Sequence, residues 1–425
     1  MEQQIGGVLV DAVGSGCLQL STAIATGKES HPKGSRPARR QQVPDAVADD
    51  YHRFDIDAKP LGCGPKEVRV GCGMTHLIDW YPVHPGRNRR DRVGVSLPAA
   101  SGRIGGATTV MGLGKRPLKV GACIPLVAGE MDGAMARGSD VLTMARAAER
   151  VGFDSVWIPD HLLIHDAPRP AQGAWECGSI LGALCVATSR VEIGALVIAT
   201  SFRNPTLVAK MGETLDELSG GRLILGLGTG RHEPEHHAFG YPFRHQVDRF
   251  EEALQIITGL LRHGQLDFEG AYYRARECEL RPRGPRPNGP PILIGALGTG
   301  PRMLDLTARY ADKWNGWLTW GRSWPDAIPP LRERVDIACE ATGRDPATLQ
   351  RTVAVLAQVP GLPARLISTA PDGRGEPLRG SAEEIAEALR EFAREGINEV
   401  QIVHSPNTVH GIEGFAPILE ALDRG

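Results

Sequence analysis

The stretch from Asn204 to Gly230, NPTLVAKMGETLDELSGGRLILGLGTG, places the tightest limit on how this chain folds. Asn204 is a good helix N-cap and Pro205 a good first helical residue. Leu207, Val208, Met211, Leu215 and Leu218 then recur at helical spacing, so one face is apolar. Ser219-Gly220-Gly221 stops the helix, because glycine tolerates the left-handed backbone that a helix end requires. Leu223 to Leu227 is apolar without alternation, as in a strand buried on both faces. Gly226, Gly228, Thr229 and Gly230 then present backbone at its C-terminal end. Such a helix–strand–glycine unit belongs to a parallel α/β protein whose loops handle a ligand.

The pattern on either side extends that unit. Strands are expected at Val120–Pro125, Ser155–Pro159, Val191–Ile198, Leu223–Leu227, Pro291–Gly295, Lys313–Leu318, Thr352–Val359 and Glu399–Val403. Helices alternate with them: Asp140–Val151 capped by Ser139, Glu176–Ala187, Val247–Arg262, and one opened by the capping box Ser381-x-x-Glu384. Leu266 to Leu280 reads as a hairpin turning at Glu269-Gly270. Eight strand–helix units over residues 116–425 fit an α/β fold of the (β/α)8 TIM-like barrel type with insertions; a doubly wound open sheet is the alternative. Residues 1–115 form an N-terminal extension rich in Gly, Pro and Arg. It reads as disordered, as a small extra domain, or as not translated, since Met111 precedes the first strand pattern.

Composition narrows the function. Hydrophobic residues are 41% and the formal net charge is −2. That suits a large core and argues against nucleic-acid partners. Eight cysteines without a CxxC pair point to reduced thiols. No apolar run approaches a membrane span and no secretory leader is evident, so a cytoplasmic location is expected.

A barrel's active site lies at the C-terminal ends of its strands. That rule selects Pro125, Asp160-His161, Val197 to Thr200, Gly228 to Arg231, Gly295 to Gly300, and His404. Asp160 and His161 are the sharpest pair, since a carboxylate beside an imidazole can orient a ring N–H and move a proton. They read equally as a capping Asp and a surface His. Gly298-Thr299-Gly300-Pro301 before a helix is a phosphate cradle or an ordinary cap. The glycines after strand four depart from GxGxxG and sit on the wrong strand for a dinucleotide loop. His232-Glu233-Pro234-Glu235-His236-His237 does not have the spacing of a metal motif; a solvated polar loop is expected there and no metal site. Trp314, Trp317, Trp320 and Trp324 divide between core and pocket wall.

Six segments together resemble a known family: GFDSVWIPDHL (152–162), residues 203–230, EHHAFGYPF (235–243), RFEEALQII (249–257), PPILIGALGTGPRMLDLTARYADKWN (290–315) and EGINEVQIVHSP (395–406). They resemble the luciferase-like monooxygenase superfamily, and within it the branch of oxidoreductases dependent on the deazaflavin coenzyme F-420. The resemblance implies a flavoprotein-like barrel that holds F-420, or alternatively FMN, at its mouth. His161 and Asp160 are then catalytic, with Asp160 also facing the cofactor. Leu196 and Val197 form a bulge with a non-proline cis peptide behind the ring. Gly228, Thr229 and Gly230 flank the cofactor side chain, and Gly295, Ala296, Gly298, Thr299 and Gly300 hold its phosphate. The implied activity is hydride transfer to or from a small organic substrate. The alternatives are a two-component FMN monooxygenase with a separate reductase partner, and a silent flavin-binding protein. A homodimer is the family expectation. Arg231 stands where sugar-phosphate dehydrogenases of the branch carry Glu, and His165 where they carry Trp, which points away from sugar phosphates.

Overall fold

The computed structural model describes residues 116–165, 168, 170–295, 300–363 and 375–425. The extension 1–115, and Ala296, Gly298 and Thr299 of the expected phosphate cradle, lie outside the described residues.

Eight parallel strands close on themselves: β1 Lys119–Cys123, β2 Ser155–Ile158, β3 Glu192–Ala195, β4 Leu223–Gly228, β5 Ile292–Gly295, β6 Lys313–Trp317, β7 Gln350–Gln358 and β8 Glu399–Ser405. Each pairs with the next, and β8 returns to β1 with Lys119 opposite Glu399. Closure removes the open edges of the doubly wound alternative. The expected strands match within two residues at most ends. The hairpin is formed by Gln265–Glu269 and Arg274–Glu279.

Inward-facing residues fill the barrel in layers. The lower layer is polar. Glu399 accepts from Ser155 Oγ and Trp157 Nε1, and Asn315 Nδ2 donates to Thr352 Oγ1 (2.9 Å) and Gln401 Oε1 (3.0 Å). Above it lie Trp157, Ile224 and Leu293, with Cys123, Leu196 and Val197 packed on top. Glycine makes room for the indole: a Cβ on Gly121 would stand 2.7 Å from Trp157 Nε1, and one on Gly194 2.4 Å from its Cζ3. The outer layer is amphipathic helix packed on the strands, as where Ile385, Leu389 and Phe392 bury one face of Ala382–Arg394.

Asn204 caps Pro205–Ser219 by accepting from Thr206 N (2.9 Å), and Gly220 ends it at φ 65°. The capping box of Ser381 and Glu384 is present. Two local expectations are corrected. The first helix runs Gly138–Val151, so the N-cap position is Arg137 and not Ser139; the Asp140 carboxylate accepts from Arg137 N–H (2.9 Å). The HEPEHH stretch is the helix Glu233–Phe239, with Glu235 and His236 buried, rather than a solvated loop. Pro234 does not break this helix, because in the first turn it has no intrahelical N–H bond to lose.

Candidate active site

The C-terminal mouth of the barrel is built from four strand exits that carry charge or shape and an apolar floor. The peptide bond Leu196–Val197, just past β3, is cis. The short strand Ile198–Ala199 that follows pairs with the end of β4. Both side chains of the bulge are half-buried over the inner apolar layer, forming a shelf at the mouth. Neighbouring strands must be bare for the shelf to fit. A Cβ on Gly228 would lie 2.5 Å from Val197 Cγ2, and one on Gly295 2.9 Å from Val197 Cγ1. Gly230, at φ 71°, would meet Ser201 Oγ at 2.4 Å. Gly228 and Gly295 therefore accommodate the protein's own bulge, and Gly230 makes room for Ser201.

Asp160 leaves β2 with its side chain buried. The Arg203 guanidinium forks onto both its oxygens, Nη1 to Oδ2 at 2.5 Å and Nη2 to Oδ1 at 3.0 Å, and Ala199 N–H donates to Oδ2 (2.9 Å). Arg203 Nη2 also donates to Glu176 Oε1 (2.7 Å), and Glu176 caps the helix Cys177–Ala187. Burial opposes ionisation of Glu176, but hydrogen bonds from Arg203, Ser179 and Gly178 outweigh it and hold its carboxyl at about 2. Asp160 thus ties the shelf, through Ala199, to the end of β2.

His161 turns the other way. Its Nδ1 bonds Glu235 Oε2 (3.2 Å), and 36% of its side chain reaches solvent. Glu235 is buried and accepts from Leu162 N and from Leu163 N (2.9 Å). The same helix is stitched to the site by His236, whose Nε2 bonds Ser201 Oγ (2.9 Å), and by His232, which accepts from His165 N (3.1 Å). Burial lowers the basicity of His161, but the hydrogen bond and charge of Glu235, with Glu130 and Asp160, outweigh it and raise its pKa. Burial opposes the charge on Glu235 too; His161 and the two backbone N–H groups prevail and its pKa is lowered.

Between β1, β2, β6 and β8 the mouth deepens into a cavity. Cys123, Trp157 and Leu196 form its floor, and Pro125, Trp317 and Val403 its walls. Glu130, His404 and Asn407 are the polar residues that border it. Glu130 Oε2 accepts from Leu126 N and Val127 N, both at 3.1 Å. Burial nevertheless raises its pKa above the ordinary value. Burial drives the Cys123 thiol far up, so it is no nucleophile. Arg231 stacks on Trp320 at 4.1 Å, and Trp320 meets Trp317 edge to face, so the rim after β4 joins the wall from β6. Trp314 is buried in the core.

His404 borders this cavity but does not aim its ring into the mouth as its strand-end position suggests. Glu399, Gln401 and Val403 face inward, so His404 faces the helices. Its ring lies edge-on to Phe153 (5.4 Å) and Phe415 (5.3 Å), and neither nitrogen has a hydrogen-bond partner among the described residues. Burial pushes its pKa down to about 3, so the ring is neutral.

The site fits a flat redox ring with a phosphate tail on two observations. Leu196 and Val197 offer an apolar shelf at the mouth. Gly300 is the N-cap of Pro301–Tyr310, has no side-chain cap bond, and a Cβ there would meet nothing within 4 Å. Free N–H groups at such a helix start suit an anion. No group of three His, Cys, Asp or Glu side chains gathers to hold a metal among the described residues. No helix among them is long and apolar enough to cross a membrane.

Sequence reasoning singled out Asp160, His161, Leu196, Val197, Gly228, Gly230, Gly295 and Gly300, and the structure brings the first four around one mouth. It missed Glu130, Arg203, Glu235 and Asn407. Arg203 and Glu235 are partners of flagged residues at separations of 43 and 74 positions, which no local pattern reveals.

The sequence profile of the luciferase-like monooxygenase family matches residues 118–370. A curated relative, the F-420-dependent hydroxymycolic acid dehydrogenase of Mycobacterium tuberculosis, is 33% identical over 228 residues, 52% of this chain and 60% of that protein. The pyrimidine monooxygenase RutA of Escherichia coli is 34% identical over 175 residues, 40% of this chain and 44% of that protein. The chain thus spans about 60% or less of the length of these relatives. A solved F-420-dependent secondary alcohol dehydrogenase, in complex with an F-420–acetone adduct, shares the fold with a TM-score of 0.58 at 20% identity, over 72% of this chain and 99% of that one.

Proposed function

Because the chain belongs to the luciferase-like monooxygenase family, we propose that it is an oxidoreductase that holds the deazaflavin coenzyme F-420 at the barrel mouth and exchanges a hydride with a small organic substrate. The observation that carries this reading is His161: a part-exposed imidazole at the C-terminal exit of β2, locked through Nδ1 to a buried carboxylate.

When bound, the coenzyme supplies the hydride-accepting or hydride-donating ring carbon. The chain's own residues do the rest. Leu196 and Val197 support one ring face, while Gly300 and the start of Pro301–Tyr310 receive the phosphate. Ala296, Gly298 and Thr299 complete that cradle in the proposal. Gly228, Thr229 and Gly230 border the tail, Gly228 being already kept bare by the shelf. Asp160 acts through Arg203 and Ala199 as a positioning residue. His161 keeps Nδ1 on Glu235 and exchanges the substrate proton at Nε2, removing it when an alcohol is oxidised and returning it in the reverse direction. The raised pKa of His161 suits that exchange near neutral pH. Glu130 lies in the same cavity as a second carboxyl able to hold a proton.

A second reading, FMN with O₂ and a separate reductase, is favoured by the likeness to the Escherichia coli monooxygenase. Oxygen uptake separates the two, since a deazaflavin has carbon at the position through which a flavin reacts with O₂. With the deazaflavin reading, reduced F-420 supports substrate turnover without O₂ consumption and His161→Ala abolishes turnover. O₂ uptake with reduced FMN, and none of this turnover with F-420, overturns it.

A further inference from the structure

The cavity beside the shelf carries polar atoms that the fold itself does not use. Asn407, just past β8, is 7% exposed, and its Oδ1 has no hydrogen-bond partner among the described residues. Trp317, at the end of β6, lines the same cavity and its buried Nε1 likewise has none. A buried acceptor or donor left unmet costs roughly 1–3 kcal/mol. Folds rarely keep such buried atoms without a partner, and each native exception calls for an explanation, such as a catalytic role, a water or an ion. Glu130, which lines the same cavity, adds a carboxyl whose Oε2 is taken by two backbone N–H groups.

We propose that Asn407 and Trp317, with Glu130, form a hydrogen-bonding subsite for an uncharged polar group of the substrate, a hydroxyl or carbonyl, and that this subsite rejects phosphate and carboxylate groups. This rests on the oxidoreductase reading above. The charges decide the class. Asn407 and Trp317 are neutral, His404 at the cavity's border is kept neutral by burial, Glu130 repels an anion whenever it is ionised, and no Lys or Arg lines the cavity among the described residues. An anion placed there would lose its hydration with no cation in return. A hydroxyl or carbonyl has the complementary needs: it accepts from an indole N–H and a protonated carboxyl, and a hydroxyl donates to an amide oxygen. Interchanging the amide atoms of Asn407 leaves it neutral and still a single-point partner. Apart from His404, the remaining floor and walls are apolar, which suits an aliphatic or cyclic body.

The test uses the full chain. Tryptophan fluorescence follows titration with 2-propanol, cyclohexanol and cyclohexanone, and with lactate and glycerol phosphate as charged counterparts, on the wild type, Asn407→Leu and Trp317→Phe. F-420 affinity and the denaturation midpoint are measured alongside. Expected are saturable binding of the uncharged probes alone, a loss of roughly three- to tenfold in each variant, unchanged F-420 affinity, and a midpoint for Asn407→Leu at or above that of the wild type. A purely structural role moves the midpoint and not the probe affinity. The proposal is overturned if the anions bind the wild type as tightly as the alcohols, if no uncharged probe binds, or if the variants bind like the wild type. Should a variant fail to fold, the wild-type preference between uncharged and anionic probes decides alone. Failure of F-420 and FMN to bind, with alcohol binding intact, would sink the oxidoreductase reading and not the subsite.

Discussion

Replacing His404 by leucine gives a stability change whose size and pH dependence follow from where the ring sits. His404 is 2% exposed, wedged between Phe153 and Phe415, with its pKa pushed from an ordinary 6.5 down to about 3. A depressed histidine pKa means that the unfolded chain takes up a proton below pH 6.5 which the folded chain refuses until about pH 3. The fold is therefore penalised progressively as pH falls through that interval. Each pH unit below 6.5 is worth about 1.4 kcal/mol, so the wild type loses about 2 kcal/mol to this one residue between pH 7 and pH 5. His404→Leu has no such group, and leucine suits the phenylalanine-lined space. It also removes two buried nitrogens without partners, so at pH 7 the variant is as stable as the wild type or more so, by up to ~1 kcal/mol. Urea denaturation of both proteins at pH 7, 6 and 5 isolates the effect, because every other titrating group is shared. The gap in unfolding free energy should widen by about 2 kcal/mol from pH 7 to pH 5 in favour of the variant. A gap independent of pH, or a variant destabilised by more than ~2 kcal/mol throughout, would show that His404 is partnered or protonated in the fold, and the reasoning fails.

Asp160→Asn leaves the buried Arg203 with Glu176 alone; about 3 kcal/mol of stability is lost, and adding Arg203→Met recovers part of it in a double-mutant cycle measured by denaturation. No coupling in that cycle would mean the pair is solvated. Glu235→Gln removes the partner of His161. The raised pKa of His161 contributes stability below 6.5 that is lost as pH rises through its folded value. The lowered pKa of Glu235 contributes above 4.5 and is lost as pH falls through its own. The deficit of the variant, roughly 1–2 kcal/mol, should therefore be largest between pH 4.5 and 6.5; a deficit that grows toward pH 9 contradicts the pairing. Gly228→Ala places a methyl 2.5 Å from Val197 Cγ2, should lose about 1–3 kcal/mol in denaturation, and should weaken cofactor binding through the shelf. A variant unchanged in both means that the shelf does not rest on β4.

The barrel was legible because its signals are local. Apolar runs, N-caps and glycine stops fall within one element, and Asn204, Gly220 and Ser381 act where the sequence placed them. The strand-end rule found the mouth but not which way a residue faces. Counting alternation back to Glu399 would have turned His404 toward the helices. Pro234 sits in the first turn of its helix, which tolerates proline, so it marks no break there. Glu235, buried and held by Leu162, Leu163 and His161, looked like one more charge in a polar run, because its partners lie more than 70 residues away. The glycines at 228, 230 and 295 were expected to make space for a ligand. The structure adds reasons internal to the protein, the bulge at Leu196–Val197 for Gly228 and Gly295 and the Ser201 side chain for Gly230, which a one-dimensional pattern does not contain. Glu130 sits in the loop after β1 with nothing in its flanking residues to mark it.

The central claim is that this mouth is a deazaflavin site worked by His161. The most direct measurement is a fluorescence titration of the wild type and His161→Ala with F-420 and FMN, each oxidised and reduced. The account predicts saturable F-420 binding of similar affinity in both proteins, with FMN weaker, because the shelf and the phosphate cradle bind while His161 moves the proton. Binding of neither cofactor, or tight binding of reduced FMN alone, would contradict it.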